Sequence, residues 1–155
     1  MYIALTSIVM LILVGFMTVL FQGRERSRTV TDLDSNAQTI MQEIIQTARN
    51  AEVINSPSAG VTASTLSLSV LDGTLDPAVY ELSSGNLTVN EGASGPLNLN
   101  SETVTVSALS FQNLSRPGTR GIVRIVFTLT YANPSNEPVY NFSRTYYGSA
   151  ALKTF

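Results

Sequence analysis

Eleven Asp and Glu side chains carry almost all the acid-base and cation-binding capacity of this 155-residue chain, because it contains neither histidine nor cysteine. Without imidazole there is no Ser-His-Asp triad and no usual zinc ligand. Without thiols there is no disulfide framework, thiolate metal site or cysteine nucleophile. A pair of carboxylates such as Asp72 and Glu81 has the residue types of a glycosidase, but nothing in their spacing positions them for one. The chain is therefore expected not to be an enzyme, with no catalytic residue and no cofactor. Asp72-Gly73-Thr74-Leu75-Asp76 offers two oxygen ligands to a hard cation. A calcium loop needs more donors on a defined turn, so Asp-Gly is read as a turn, and Asp72 and Asp76 stand only as metal candidates.

Three further groups of residues invite a functional reading. Asn86-Leu87-Thr88, Asn113-Leu114-Ser115 and Asn141-Phe142-Ser143 match the N-glycosylation acceptor pattern, which chance supplies in a chain rich in Asn, Ser and Thr. Tyr140, Tyr146 and Tyr147 cluster near the end of the chain as an adhesive surface or, on the simpler reading, as sheet packing. The formal net charge is -2 and the nine basic residues are scattered after an early cluster, so no footprint for nucleic acid is present.

These residues must be carried by elements of very different character. Residues 2–21 form an unbroken apolar stretch without a charge, followed by Arg24, Glu25, Arg26 and Arg28. At about 1.5 Å per residue such a helix would be roughly 30 Å long, the thickness of a bilayer's hydrocarbon. A signal peptide has a shorter apolar region and a small-residue cleavage site, whereas this stretch ends in Phe-Gln-Gly-Arg, so retention is expected. The arginines would then meet lipid headgroups. Gly15 is read as an ordinary glycine of a transmembrane helix, and Gly23 either as the same or as a site where helical bonding loosens.

Val30, Leu33, Ala37, Ile40, Met41, Ile44, Ile45 and Ala48 follow at helical spacing, with Asp34, Gln38, Gln42 and Gln46 on the opposite face. The helix is expected to end near Ile54, before Asn55-Ser56-Pro57. Beyond Gly60 the period becomes two. A hairpin is predicted around Ser84-Gly85, long strands over 103–114 and 122–132, and a last strand over 139–147. Val104, Val106, Leu109, Phe111, Val123, Ile125, Phe127 and Leu129 would form the inner face. The expected fold class is α+β: a long N-terminal helix, transmembrane in its first half and amphipathic in its second, packed on an antiparallel sheet. The expected parts are residues 1–23, residues 24–55, and a sheet domain over 56–155 packing on 30–54.

This plan resembles that of type IV pilins and of the pseudopilins of type II secretion and competence systems, over nearly the whole chain. Residues 44–51 followed by 54–57 are similar to the end of the helix in minor pseudopilins. Residues 104–111 with 122–131 resemble that group's paired strands, and residues 147–152 its closing segment. A prepilin carries a basic leader, a processing site and a glutamate early in the mature helix. Here position 5 is Leu5 and the first acidic residue is Glu25, so the resemblance implies a chain that begins some eight residues inside the mature helix. The three arginines after the apolar stretch would place the body in the cytoplasm, and a basic leader upstream of Met1 would restore the extracytoplasmic orientation that a pilin needs.

The resemblance implies a structural subunit of a type IV pilus-like or type II secretion-like filament, a minor pilin or pseudopilin. It would be stored in the membrane as a single-pass protein with an extracytoplasmic domain, and displayed on a cell-surface filament after assembly. Ile3, Leu5, Ile8, Val9, Leu11, Ile12, Leu13, Phe16, Val19 and Leu20 would carry membrane retention and filament-core contacts. Its partners would be other pilin-like subunits, an assembly platform and a prepilin peptidase. The alternative is a single-pass, membrane-anchored β-domain that binds or adheres without polymerising.

Overall fold

The computed structural model describes residues 2–119, 121–133 and 141–153; the side chains of residues 4, 5 and 18–27 lie outside that description. One helix, α1 (Tyr2–Asn50), precedes nine strands: β1 (Ala51–Ser56), β2 (Thr62–Ala63), β3 (Leu66–Val70), β4 (Ala78–Ser83), β5 (Asn86–Glu91), β6 (Pro96–Asn98), β7 (Val104–Asn113), β8 (Ile122–Tyr131) and β9 (Ser143–Ala151). They form two antiparallel sheets, a five-stranded one in the order β1-β3-β4-β5-β6 and a four-stranded one in the order β2-β7-β8-β9.

The fold class expected from sequence is corrected here. The chain is mainly β-structure in two antiparallel sheets, not a helix laid on a single sheet. Only the second half of α1 has described contacts with the strands, and it touches both sheets, through β3 on one side and β7, β8 and β9 on the other. The reason is at Asn50. The helix ends there, four residues before the expected Ile54, because Ala51 and Ile54 pair with Val70 and Leu68 on β3. Long-range pairing outcompetes local helix preference at this point, and the segment after the helix builds a sheet of its own.

The transmembrane reading is also corrected. Among the described residues no helix is long and apolar enough to cross a membrane. A transmembrane, prepilin-like first half of α1 is therefore not supported. The single-pass membrane anchoring expected with it is not supported either.

One core joins the three layers. Leu33, Ala37, Ile40, Ile44 and Ala48, spaced by three or four, form the fully covered stripe of α1, while Val30, Met41 and Ile45 are half-buried beside it. Leu66, Leu68, Ala78, Tyr80, Leu87 and Val89 face them from the five-stranded sheet. The eight residues assigned to an inner face on β7 and β8 are all buried. A bulge between Val106 and Ala108 explains how Val104 and Val106, then Leu109 and Phe111, share one face: the extra residue shifts the two-residue period by one.

Ser84 and Gly85 turn the β4-β5 hairpin with φ of 50° and 80°, the left-handed pair that a two-residue hairpin needs. That turn also joins the sheets, since the Val106 amide donates to the Gly85 carbonyl at 2.8 Å. The last strand begins at Ser143 rather than 139. The expected turn at 133–138, the start of that strand and Tyr140 lie largely outside the described residues.

Candidate assembly surface and surface clefts

The first half of α1 leaves its apolar side chains uncovered. Ile8, Val9, Met10, Leu11, Ile12, Leu13 and Val14 are consecutive, and each is between 51% and 73% exposed. Successive helix residues are about 100° apart, so seven in a row point in every direction around the axis. Ile3 and Phe16 are exposed as well. Of the expected assembly residues, Leu5, Val19 and Leu20 lie outside the described side chains, as do Arg24, Glu25 and Arg26. Thr6 and Ser7 return their hydroxyls to the Ile3 carbonyl at 2.9 and 2.8 Å, which satisfies them within the helix.

Farther along, α1 is tied to the edge strand β9 by a polar clamp absent from the sequence reading. Arg144 Nη1 donates to Asp34 Oδ1 and Oδ2 at 3.0 and 3.1 Å, and the Tyr146 hydroxyl donates to Asp34 Oδ1 at 2.6 Å. The Arg144 guanidinium lies 5.7 Å from the Tyr146 ring centroid, and that ring stacks on Phe127 at 5.7 Å. Burial raises the pKa of the Tyr146 phenol above its ordinary value, and the hydrogen bond to Asp34 and its charge add to the rise. Two turns on, Gly148 lets Met41 sit against the strand, since a Cβ there would run into the Met41 thioether. A groove of 340 Å³ opens beside the clamp, lined by Gln38, Met41, Arg144 and Tyr147.

The metal candidates are separated by their hydrogen bonds. Asp72 Oδ1 accepts from the Thr74 amide at 3.0 Å and the Thr74 hydroxyl at 2.6 Å, bonds that hold its carboxyl below the usual carboxylate value. Asp76 Oδ1 instead accepts from Ser69 Oγ and the Val70 amide. Each aspartate closes its own turn, and no group of three potential ligands occurs among the described residues. Glu81 is exposed on β4 and has no role beside Asp72 in what is described.

Two of the three glycosylation patterns are spent on structure. Asn113 is buried and its Nδ2 donates to the Pro57 carbonyl at 2.7 Å. Asn86 accepts from Asn100 Nδ2 at 3.0 Å. Asn141 is exposed and accepts from Asn133 Nδ2.

A second cleft, of 260 Å³, lies where the end of α1 meets the β3-β4 loop and β5. Val70, Leu71 and Leu75 form apolar walls; Thr47, Asp72 and Glu91 supply the polar ones. Beneath it Tyr80 is fully buried. Its hydroxyl lies beside Thr47, but meets no partner at hydrogen-bonding geometry. Burial is the main cause of its raised pKa, with the negative charges of Glu43 and Glu91 contributing. The clamp and this hydroxyl depend on contacts between residues far apart in sequence, which leave no local signal.

Comparison with protein families, with characterised proteins and with solved structures finds no match to this chain. The resemblance to pilin-like subunits therefore rests on the arrangement of its own residues.

Proposed function

We propose that the chain is a structural subunit of a pilin-like filament, of the type IV pilus or type II secretion kind, assembled by packing its N-terminal helix against those of like subunits. The observation that carries this reading is the exposure of Ile8 through Val14 on every side of α1. Fully burying a large apolar side chain contributes roughly 1.5–3 kcal/mol, so several together offset the estimated 4–15 kcal/mol cost of immobilising a partner. A single neighbour would cover one stripe of such a helix. Exposure all round calls for several neighbours, as in a bundle. The sheets, rooted on the second half of α1, would lie outside that bundle and distinguish one subunit from another. By the same resemblance, an assembly platform and a prepilin peptidase would act on the chain.

Cysteines placed together in one chain at Val9 and Phe16 test the reading without background, because the chain has no thiol of its own. Oxidation is expected to give ladders of many subunits, since a chain with two thiols can be joined to two neighbours. Monomers alone, or a single dimer band, would refute it.

A further inference from the structure

The cleft at the end of α1 is acidic and uncompensated. Glu91 has no ion pair among the described residues, and no basic residue lines the cleft. Leu71, Leu75 and Val70 wall it with apolar surface, and Asp72 and Glu91 give it two carboxylates. Apolar walls leading to carboxylates fit a side chain with an aliphatic stem and a cationic head.

Such a side chain is presented elsewhere on the same chain. Arg116 is exposed on the turn between β7 and β8 and has no ion pair among the described residues. The turn is stiff. The Thr119 amide donates to the Arg116 carbonyl at 3.1 Å, the Thr119 hydroxyl donates to the same carbonyl at 2.9 Å, and Gly118 adopts a φ of 75°. Asn113 roots the turn by donating to Pro57 and accepting from the Ser115 amide at 3.0 Å.

The two features stand at opposite ends of β1. The cleft adjoins Asn50 and Val70, and Val70 is the strand partner of Ala51. The turn is anchored on Pro57, immediately after Ser56. The strand between them spans about 17 Å at 3.3 Å per residue, so the arginine of one chain is held away from its own cleft. We infer that the Arg116 turn of one copy docks in the Glu91 cleft of the next, a head-to-tail contact between unlike surfaces. Contacts of this type repeat into open filaments unless their rotation closes a ring. The inference rests on the filament reading and adds a contact between the sheet domains to the one between helices.

Charge reversal in the full chain tests it. Arg116→Glu and Glu91→Arg should each raise the concentration needed for assembly by roughly tenfold, as expected for losing an ion pair and gaining a repulsion. The chain carrying both substitutions should recover, because the repeated contact is restored with its signs exchanged. Arg124→Glu, at an exposed arginine on β8, serves as the control and should leave assembly unchanged. Single variants that assemble as the parent does, or a double variant that fails to recover, would overturn the docking. If the chain with cysteines at Val9 and Phe16 and its charges unchanged forms no ladder, it is the filament reading that falls.

Discussion

Asp34 on α1 and Arg144 on β9 are 110 positions apart in the chain, yet one guanidinium nitrogen of Arg144 donates to both carboxylate oxygens of Asp34. Tyr146 shares the same carboxylate, so the clamp holds the helix to a strand that, among the described residues, pairs only with β8. Its side chains are partly exposed, 52% for Arg144 and 38% for Asp34, which limits what the ion pair contributes. Asp34→Ala is expected to lower stability by about 1 kcal/mol, measured by urea unfolding. A cycle with Tyr146→Phe should give a coupling of about 0.5–1 kcal/mol. Simple additivity would show that the three groups do not act together.

Asn100 is the buried polar hub of the segment joining the two sheets. Its Oδ1 accepts from the Leu87 amide at 2.8 Å, and its Nδ2 donates to the Val104 carbonyl at 2.6 Å. Asn100→Ala strands both backbone groups in a buried place and should cost roughly 3 kcal/mol, read from the thermal midpoint or from urea unfolding. Asn100→Asp keeps the acceptor for Leu87 but removes the donor, so it too should be destabilising. A loss below half a kcal/mol in either variant would contradict the role given to this side chain.

Gly92 has a φ of 54°, and a Cβ at that position would run into the Thr74 carbonyl. The obstacle is backbone, which cannot swing aside as a side chain would. Gly92→Ala should therefore cost about 2 kcal/mol or more, because strain and clash act together. Loosening of the β3-β4 loop, seen as faster amide exchange around Leu75, is expected to accompany the loss.

Alkaline pH should weaken the fold through its tyrosines. Burial raises the pKa of Tyr80 and Tyr146 above the ordinary value of 10.0. The native state thus holds these protons more tightly than the unfolded chain does. The stability this contributes is fully present below pH 10.0 and is lost as pH rises from there towards the native pKa values. Urea midpoints measured on either side of pH 10.0 should fall for the parent and fall less for the chain with Tyr80→Phe and Tyr146→Phe. At neutral pH, Tyr80→Phe alone should be neutral or slightly stabilising, since it removes an unpartnered buried hydroxyl.

Much of the β-structure could be read locally. Alternation placed Val123, Ile125, Phe127 and Leu129 on one buried face, and Ser84-Gly85 marked a hairpin turn by its backbone demands alone. The apolar spacing of Leu33, Ala37, Ile40, Ile44 and Ala48 likewise marked the covered stripe of α1. Where a residue's fate depended on a distant partner, local reading failed. Ala51 and Ile54 were assigned to the helix and belong to β1, because β3 was there to pair with them. Asp34 was assigned to a polar helix face and is instead the acceptor for Arg144 and Tyr146.

The sequence by itself determined the absence of imidazole and thiol chemistry, the helical and strand periods, and the apolar stretch at the front of the chain. These follow from residue type and spacing, which act over a few neighbours. Tertiary structure alone decided that the strands divide into two sheets. It also decided that the early helix residues Ile8 through Val14 stay uncovered, and that Arg116 and Glu91 are held at opposite ends of β1. Those outcomes depend on which surfaces meet, and burial and strand pairing are settled between residues that the chain order keeps far apart.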